Sequence, residues 1–273
     1  MSYSPLRQDR QAGVAPMGPS EVERLKKRFP EFIGQSESLL RVLQQIEQFA
    51  GADAPVLIQG ESGTGKELVA RALHRIGSRR HGPFVGENCA ALAPAMLEAE
   101  LFGHNRGAFT GAHTERAGLI ESAHGGVLFL DEITETGVDL QSKLLRVLQE
   151  KEIRRVGSSQ SRKVNFRLVS ASQRNLERAV EAQQFREDLR YRIDVLRIQL
   201  PSLRQRRQDI PLLCRTFLSR YCQRLGRRMP VISSDAMTVL ISSRWQGNIR
   251  ELQNEIERLA NQTIISHSFS LIF

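Results

Sequence analysis

The sequence predicts an α/β fold, a parallel sheet covered by helices, followed by a smaller C-terminal helical domain. Three observations carry that expectation. Short apolar runs alternate with helix-period stretches between residues 31 and 200. One run, Val127-Leu-Phe-Leu130, is apolar at every position, as in a strand covered on both sheet faces. Beyond Pro201 the strand signals largely stop and helical periodicity continues.

In chain order, residues 1–30 hold four of the ten prolines and read as a flexible tail. Pro55 to Gln59 is a buried-strand candidate. The stretch Gly65–Ile76 follows, with Leu68, Val69, Ala72, Leu73 and Ile76 on one helical face. A second strand starts at Pro83 and a third covers Val127–Leu130. Leu140, Leu144, Val147 and Leu148 mark a helix; Val164, Phe166 and Leu168 begin a fourth strand, and Val195–Leu200 supplies a fifth. Residues 210–225, 234–243 and 248–261 read as helices, two of them starting near Asp209 and Ser234 as caps. The domains expected are thus a tail over 1–30, an α/β domain over 31–200, a helical domain over 201–262 and an uncharged tail over 263–273.

Composition sets the class. With 40% hydrophobic and 25% charged residues, the 273-residue chain can bury a core and is neither collagen-like nor globally disordered. The net charge is +9, and arginine supplies 33 of the 39 cations. Residues 201–258 contain eleven arginines, no lysine and five acids, so two-thirds of the excess lies in the helical part. Cys89, Cys214 and Cys222 form no C-x-x-C pair and read as reduced packing residues. No segment resembles a signal-peptide core or a membrane span, and a cytoplasmic location without membrane contact is expected.

The chemistry begins at Gly60-Glu61-Ser62-Gly63-Thr64-Gly65-Lys66-Glu67. A glycine turn that opens a helix aims backbone N–H groups and the helix dipole at one point, which suits phosphate oxygens. Lys66, one of only six lysines, would reach the outer phosphates. The spacing is that of the phosphate-loop motif, except that Glu67 stands where the strict form has Ser or Thr for Mg²⁺. About 65 residues later a buried strand ends in Asp131 and Glu132. An acidic pair ending a strand is by itself often a solvated turn. Beside a phosphate loop, Asp131 can hold Mg²⁺ through water and Glu132 can accept hydrogen bonds from an attacking water, a nucleotide-hydrolysing arrangement.

With these motifs in place, residues 31–262 resemble the central AAA+ P-loop ATPase domain of the sigma-54-dependent transcriptional activators, the bacterial enhancer-binding proteins. The most specific match is Gly107-Ala108-Phe109-Thr110-Gly111-Ala112, identical to that family's GAFTGA loop and preceded by the typical ELFGH at Glu100–His104. GESGTGKE is also the family's usual phosphate loop, so Glu67 is no defect there. From physics alone the hexad offers Phe109 and Thr110 as its only sizeable side chains, at a loop tip freed by Gly107 and Gly111. Either insertion into a partner or a plain turn with Phe109 in the core fits that pattern. The resemblance implies the partner: sigma-54 RNA polymerase holoenzyme, engaged in an ATP-dependent way.

The resemblance carries further residues. It implies that Asn88 holds the glutamate until the nucleotide state changes. It implies that Arg186 and Arg192, in Phe185-Arg-Glu-Asp-Leu-Arg-Tyr-Arg192, act as arginine fingers on the neighbouring subunit of a ring, a hexamer in this family. In Trp245-Gln-Gly-Asn-Ile-Arg-Glu-Leu252, Arg250 would be a sensor reaching the phosphates from the lid, and Trp245 a lid-core residue. Gln246 replaces the usual proline. Gln173 stands where the family commonly has a γ-phosphate-sensing asparagine, with the same amide on one more methylene. The function implied is ATP hydrolysis, with ATP and Mg²⁺, that remodels the sigma-54 polymerase promoter complex toward opening. Two alternatives stay open: an AAA+ remodeller of another protein or nucleic acid, and a nucleotide-binding regulator without turnover. Neither end has room for a receiver-sized domain or a helix-turn-helix, so DNA contact by this chain is expected to be weak or nonspecific.

Overall fold

The computed structural model describes residues 17–108 and 113–265, the last three as backbone only. The chain divides into two compact units, Met1–Phe32 and Ile33–Phe273. The first holds helix α1 (Pro19–Arg28), a correction to the tail expected there. Its proline sits in the first turn, where the missing N–H costs nothing, and Glu21 precedes Lys26, Lys27 and Arg28 in the order that favours the helix dipole. Counting prolines hid that arrangement.

In the second unit the α/β part runs α2 (Glu37–Ala50), β1 (Val56–Gln59), α3 (Lys66–Ile76), β2 (Phe84–Asn88), α4 (Pro94–Phe102), β3 (Gly103–His104), β4 (Arg116–Ala117), α5 (Leu119–Ser122) and β5 (Val127–Asp131). It continues through α6 (Val138–Glu150), β6 (Glu152–Arg154), β7 (Ser161–Lys163), β8 (Arg167–Ser172), α7 (Leu176–Glu181), α8 (Glu187–Ile193) and β9 (Leu196–Gln199). The helical part holds α9 (Ile210–Arg224), α10 (Ser234–Ser242) and α11 (Asn248–Ile265).

The five-stranded sheet has the order β2-β5-β8-β1-β9, and every pair is parallel. All four β1 residues are buried, as are Val127–Leu130 of β5, while the edge strands β2 and β9 are only partly covered. Among the described residues, buried apolar side chains pack on the sheet and within the helical part. Leu57, Leu128, Leu130, Leu144 and Leu168 gather around the sheet. Leu213, Phe217, Leu240, Trp245 and Ile256 gather in the helical part, with Cys214 and Cys222 among them. Burial pushes the Cys89 and Cys214 thiols up to about 12, so all three cysteines fit inert packing positions.

Strand β8 departs from the apolar pattern for visible reasons. It begins at Arg167, later than Val164, because Val164 N–H still bonds Lys151 O at 2.9 Å beside the β6–β7 hairpin. The buried Arg167 guanidinium donates to the carbonyls of Phe49 at 2.7 Å, Ala50 at 3.0 Å and Ala54 at 3.1 Å. It thereby adds donors to carbonyls at and just beyond the C-terminus of α2, where the helical ladder ends. The β3–β4 and β6–β7 hairpins were not anticipated. With two or three residues per strand they show no period, and an isolated bridge between His104 and Val156 joins them.

The expected caps also shift. Ser233, one residue before the expected Ser234, caps α10 by accepting from Ala236 N–H. Asp209 makes no cap bond to α9. Its fully buried carboxylate instead accepts from Gln35 N–H at 2.7 Å, Ser36 N–H at 2.8 Å and the Ser36 hydroxyl at 2.6 Å. This fastens the entry to α2 onto the start of the helical part, with the buried Arg206 supplying positive charge nearby. Asp209→Ala strands three donors and is expected to cost about 3 kcal/mol of stability. The measurement is the urea-unfolding midpoint; an unchanged midpoint would remove this contact from the list of what holds the fold.

Candidate nucleotide site

The end of β1 and the start of α3 form the phosphate loop. Gly63 and Gly65 take φ of +74° and +101°, which residues with a Cβ avoid. Gly65 N-caps α3 without any side-chain cap bond, leaving the helix's first N–H groups to a ligand. Thr64 turns its hydroxyl back to Glu61 O at 2.7 Å. The Lys66 ammonium is buried, 3.1 Å from Gly60 O and 3.0 Å from Glu132 Oε1. Glu67 lies on the exposed face of α3, where it pairs with Arg71 at 2.7 Å.

Sheet order brings the acidic pair to this loop. Asp131 ends β5, and Glu132 follows in a left-handed conformation with φ +51°. Its second oxygen, Oε2, accepts from Gln173 N–H at 3.0 Å, just past the end of β8. Burial holds the Asp131 carboxyl above the usual carboxylate range; Lys66 opposes that shift while Glu132 and Glu67 add to it. Gln173 therefore reaches Glu132 through its backbone, and its side chain is exposed. Asn88 pairs in register with Asp131, but its amide oxygen accepts from Ala90 N–H at 2.9 Å. Among the described residues no hydrogen bond joins Asn88 to Glu132. The restraint on Glu132 comes from Lys66 and Gln173 instead, because the Asn88 side chain is turned into its own local turn.

The helical lid sits directly on the loop. Arg250 approaches the Ser62 hydroxyl at 3.5 Å, and Glu61 meets Arg204 at 2.5 Å and 2.7 Å. Arg204 holds Glu61 below the usual carboxylate range. Asn248 and Ile249 bond the carbonyls of Ser62 and Gly63 at 2.9 Å and 3.0 Å. A Cβ on Gly63 would lie 2.1 Å from Gly247 O, so no other residue fits beneath the lid. Sequence reasoning missed Arg204 and Asn248. The left-handed φ of Asn248, +56°, had its sequence signal in the Gly247-Asn248 turn; Arg204 had none.

The remaining predicted residues lie elsewhere. Arg186 N-caps α8 and bonds Asp188 at 2.7 Å and the Ser142 hydroxyl at 2.9 Å. Arg192, on the same helix, donates to Leu148 O at 3.0 Å. Neither makes a described bond to the phosphate loop of its own chain. Gly107 has φ +80° with open space at its Cβ, and Ala108 N–H bonds Asn105 O at 3.2 Å. Phe109, Thr110, Gly111 and Ala112 lie outside the described residues. Beyond the hexad in sequence, the buried Arg155 binds Glu121 at 2.6 Å and also pairs with Glu115.

Residues 32–199 match the family model described as the sigma-54 interaction domain. The chain belongs to that family. Residues 204–267 match the AAA+ ATPase lid domain. This sigma-54 interaction domain is 51% identical over 235 residues to a Nif-specific regulatory protein of Herbaspirillum seropedicae, covering 86% of the chain and 43% of the relative. It is 51% identical over 226 residues to the transcriptional regulatory protein ZraR of Salmonella typhimurium, covering 83% and 51% respectively. The solved structure of NtrX from Brucella abortus in complex with ATP is similar at a TM-score of 0.80 and 39% identity, over 89% of this chain and 54% of that one. The chain spans about half the length, or less, of these curated relatives.

The Asp131 environment yields a signed expectation. A carboxyl held above its unfolded value favours the neutral form in the fold, so its charge destabilises the nucleotide-free protein near neutral pH. Asp131→Asn should therefore raise the thermal midpoint at pH 7, by about 2–4 °C per kcal/mol relieved. A lowered midpoint would mean that attraction to Lys66 outweighs burial.

Proposed function

We propose that this sigma-54 interaction domain hydrolyses ATP to remodel the sigma-54 RNA polymerase promoter complex toward opening. The observation that carries the reading is the meeting of Lys66, Glu132 and Gln173 N–H at the phosphate loop, in a chain whose residues 32–199 match a sigma-54 interaction domain. In this reading the amides of Gly60–Lys66 and the Lys66 ammonium bind phosphates. Arriving phosphate oxygens compete with Glu132 for Lys66, and the carboxylate so freed orients the attacking water. Gln173 N–H keeps hold of the other oxygen and fixes its direction.

A divalent cation fits beside Asp131. The partly buried carboxylate has Glu132 and Glu67 as neighbours that raise its proton affinity, and a cation would relieve that field. Among the described residues no group of three or more His, Cys, Asp or Glu is placed to hold a metal ion by itself; Mg²⁺ would rest on Asp131 through water and on the nucleotide, supplying charge neutralisation. Arg186 and Arg192 would complete the site of a neighbouring copy in a homo-oligomeric ring, the hexamer the resemblance implies. The Gly107–Ala112 loop would meet sigma-54. No helix of the described residues is long and apolar enough to cross a membrane; a cytoplasmic place of work is proposed from the sigma-54 polymerase partner that this reading assigns.

Lys66→Ala is expected to abolish nucleotide binding. Glu132→Gln should keep binding and lose about 10²–10⁴-fold in turnover, the usual weight of a residue handling the water's proton. Steady-state phosphate release measured against protein concentration checks both variants and, by a steep rise, ring assembly. Wild-type turnover by Glu132→Gln would remove Glu132 from the chemistry. Thr110→Ala should retain the ATPase and lose open-complex formation, read by permanganate footprinting of a sigma-54 promoter.

A further inference from the structure

The lid grips the phosphate loop through one buried side chain. Asn248, with no exposed surface, opens α11 in a left-handed conformation that asparagine tolerates better than most residues. Its amide oxygen accepts from Leu203 N–H at 2.8 Å. Its amide nitrogen donates to Ser62 O at 2.9 Å and Glu61 Oε2 at 3.2 Å, with Gln246 O also in reach at 3.3 Å. One residue on, Ile249 N–H bonds Gly63 O at 3.0 Å. Two consecutive loop carbonyls are thus held by the lid turn.

A peptide unit is planar and trans, so its C=O and N–H point in opposite directions. Holding the Ser62 carbonyl toward the lid turns Gly63 N–H away from it. Holding the Gly63 carbonyl does the same for Thr64 N–H. Among the described residues Gly63 N–H has no protein acceptor, and Thr64 N–H has only a 3.4 Å turn contact to Glu61 O. Both donors are available to an anion. Arg204 meanwhile neutralises Glu61, the one carboxylate in the loop turn itself.

We propose that Asn248 is a positioning residue for nucleotide phosphates. By fixing the Ser62 carbonyl it aims the loop N–H groups, so that lid docking and phosphate affinity are a single equilibrium. This rests on nucleotide binding at the phosphate loop.

The test titrates the full chain with N-methylanthraniloyl-ATP and Mg²⁺. Asn248→Asp keeps shape and acceptor but sets a carboxylate against Ser62 O. Asn248→Gly removes the amide and keeps the left-handed backbone, and it decides the matter if the charged variant does not fold. Each should weaken binding about tenfold, the weight of one buried hydrogen bond. Competition by adenosine, which lacks phosphates, should be unchanged. Adding Glu61→Gln to Asn248→Asp should not restore affinity, because Ser62 O still lacks its donor. Wild-type affinity in both single variants, an equal loss for adenosine, or full rescue by Glu61→Gln would each overturn the proposal. Undiminished binding by Lys66→Ala would instead overturn the underlying nucleotide reading.

Discussion

A lysine ammonium withdrawn from water needs an anion beside it, and at Lys66 that anion is Glu132. Much of the site's arrangement follows. The sheet order places β8 between β5 and β1, so a carboxylate leaving β5 can reach the loop after β1 only across the end of β8. There its second oxygen meets Gln173 N–H. Three strand ends are tied together by one side chain, and Lys66 is tied back to its own loop through Gly60 O. A buried ion pair gains little net stability once both charges are desolvated. The pair can therefore be exchanged for another anion at small cost, as a polyphosphate requires.

The same region carries conformations that a purely stable fold would avoid. Glu132 has a left-handed backbone, Asp131 holds a charge that its surroundings oppose, and Gly63 lies too close to Gly247 O for any Cβ. Stability comes from elsewhere. Leu57, Leu128 and Leu130 are fully buried in the sheet, each contributing about 2 kcal/mol through removal from water. The rigid strands let the loops between them remain strained, and Asp209 and Arg167 anchor α2 against the same sheet and lid.

What the sequence revealed divides along physical lines. The central strands β1 and β5 were legible because burial on both faces leaves nearly unbroken apolar runs, and the large helices because an amphipathic face leaves a 3.6-residue period. The phosphate loop and the Asp131–Glu132 pair were legible because phosphate chemistry restricts residue type and spacing. The short hairpins were hidden because two or three residues carry no period. Asp209 looked like a cap because its neighbours are helical, yet its partners Gln35 and Ser36 lie more than 170 residues away. Asn88 and Arg204 show the same limit from opposite sides. A motif position fixes neither which way an amide turns nor which of 33 arginines crosses to the loop.

The positive charge takes on a different meaning once its partners are placed. Of the lid arginines, Arg204 binds Glu61, Arg258 binds Glu255, Arg224 lies between Glu257 and the Tyr221 ring, Arg206 is buried, and Arg250 faces Ser62. These five are engaged within the protein, whereas Arg207, Arg215, Arg220, Arg227, Arg228 and Arg244 are exposed and supply the positive field that the lid offers to solvent anions. The engaged arginines differ in a way that matters for the lid. Arg204–Glu61 is an exposed pair and weakens as salt screens it, whereas the Asn248 contacts are buried and neutral on the lid side. Salt therefore loosens the rim of the lid–loop contact before its centre. The orientation of the loop carbonyls, and with it the direction of the N–H groups beneath, is set by the part of the interface that ionic strength reaches least.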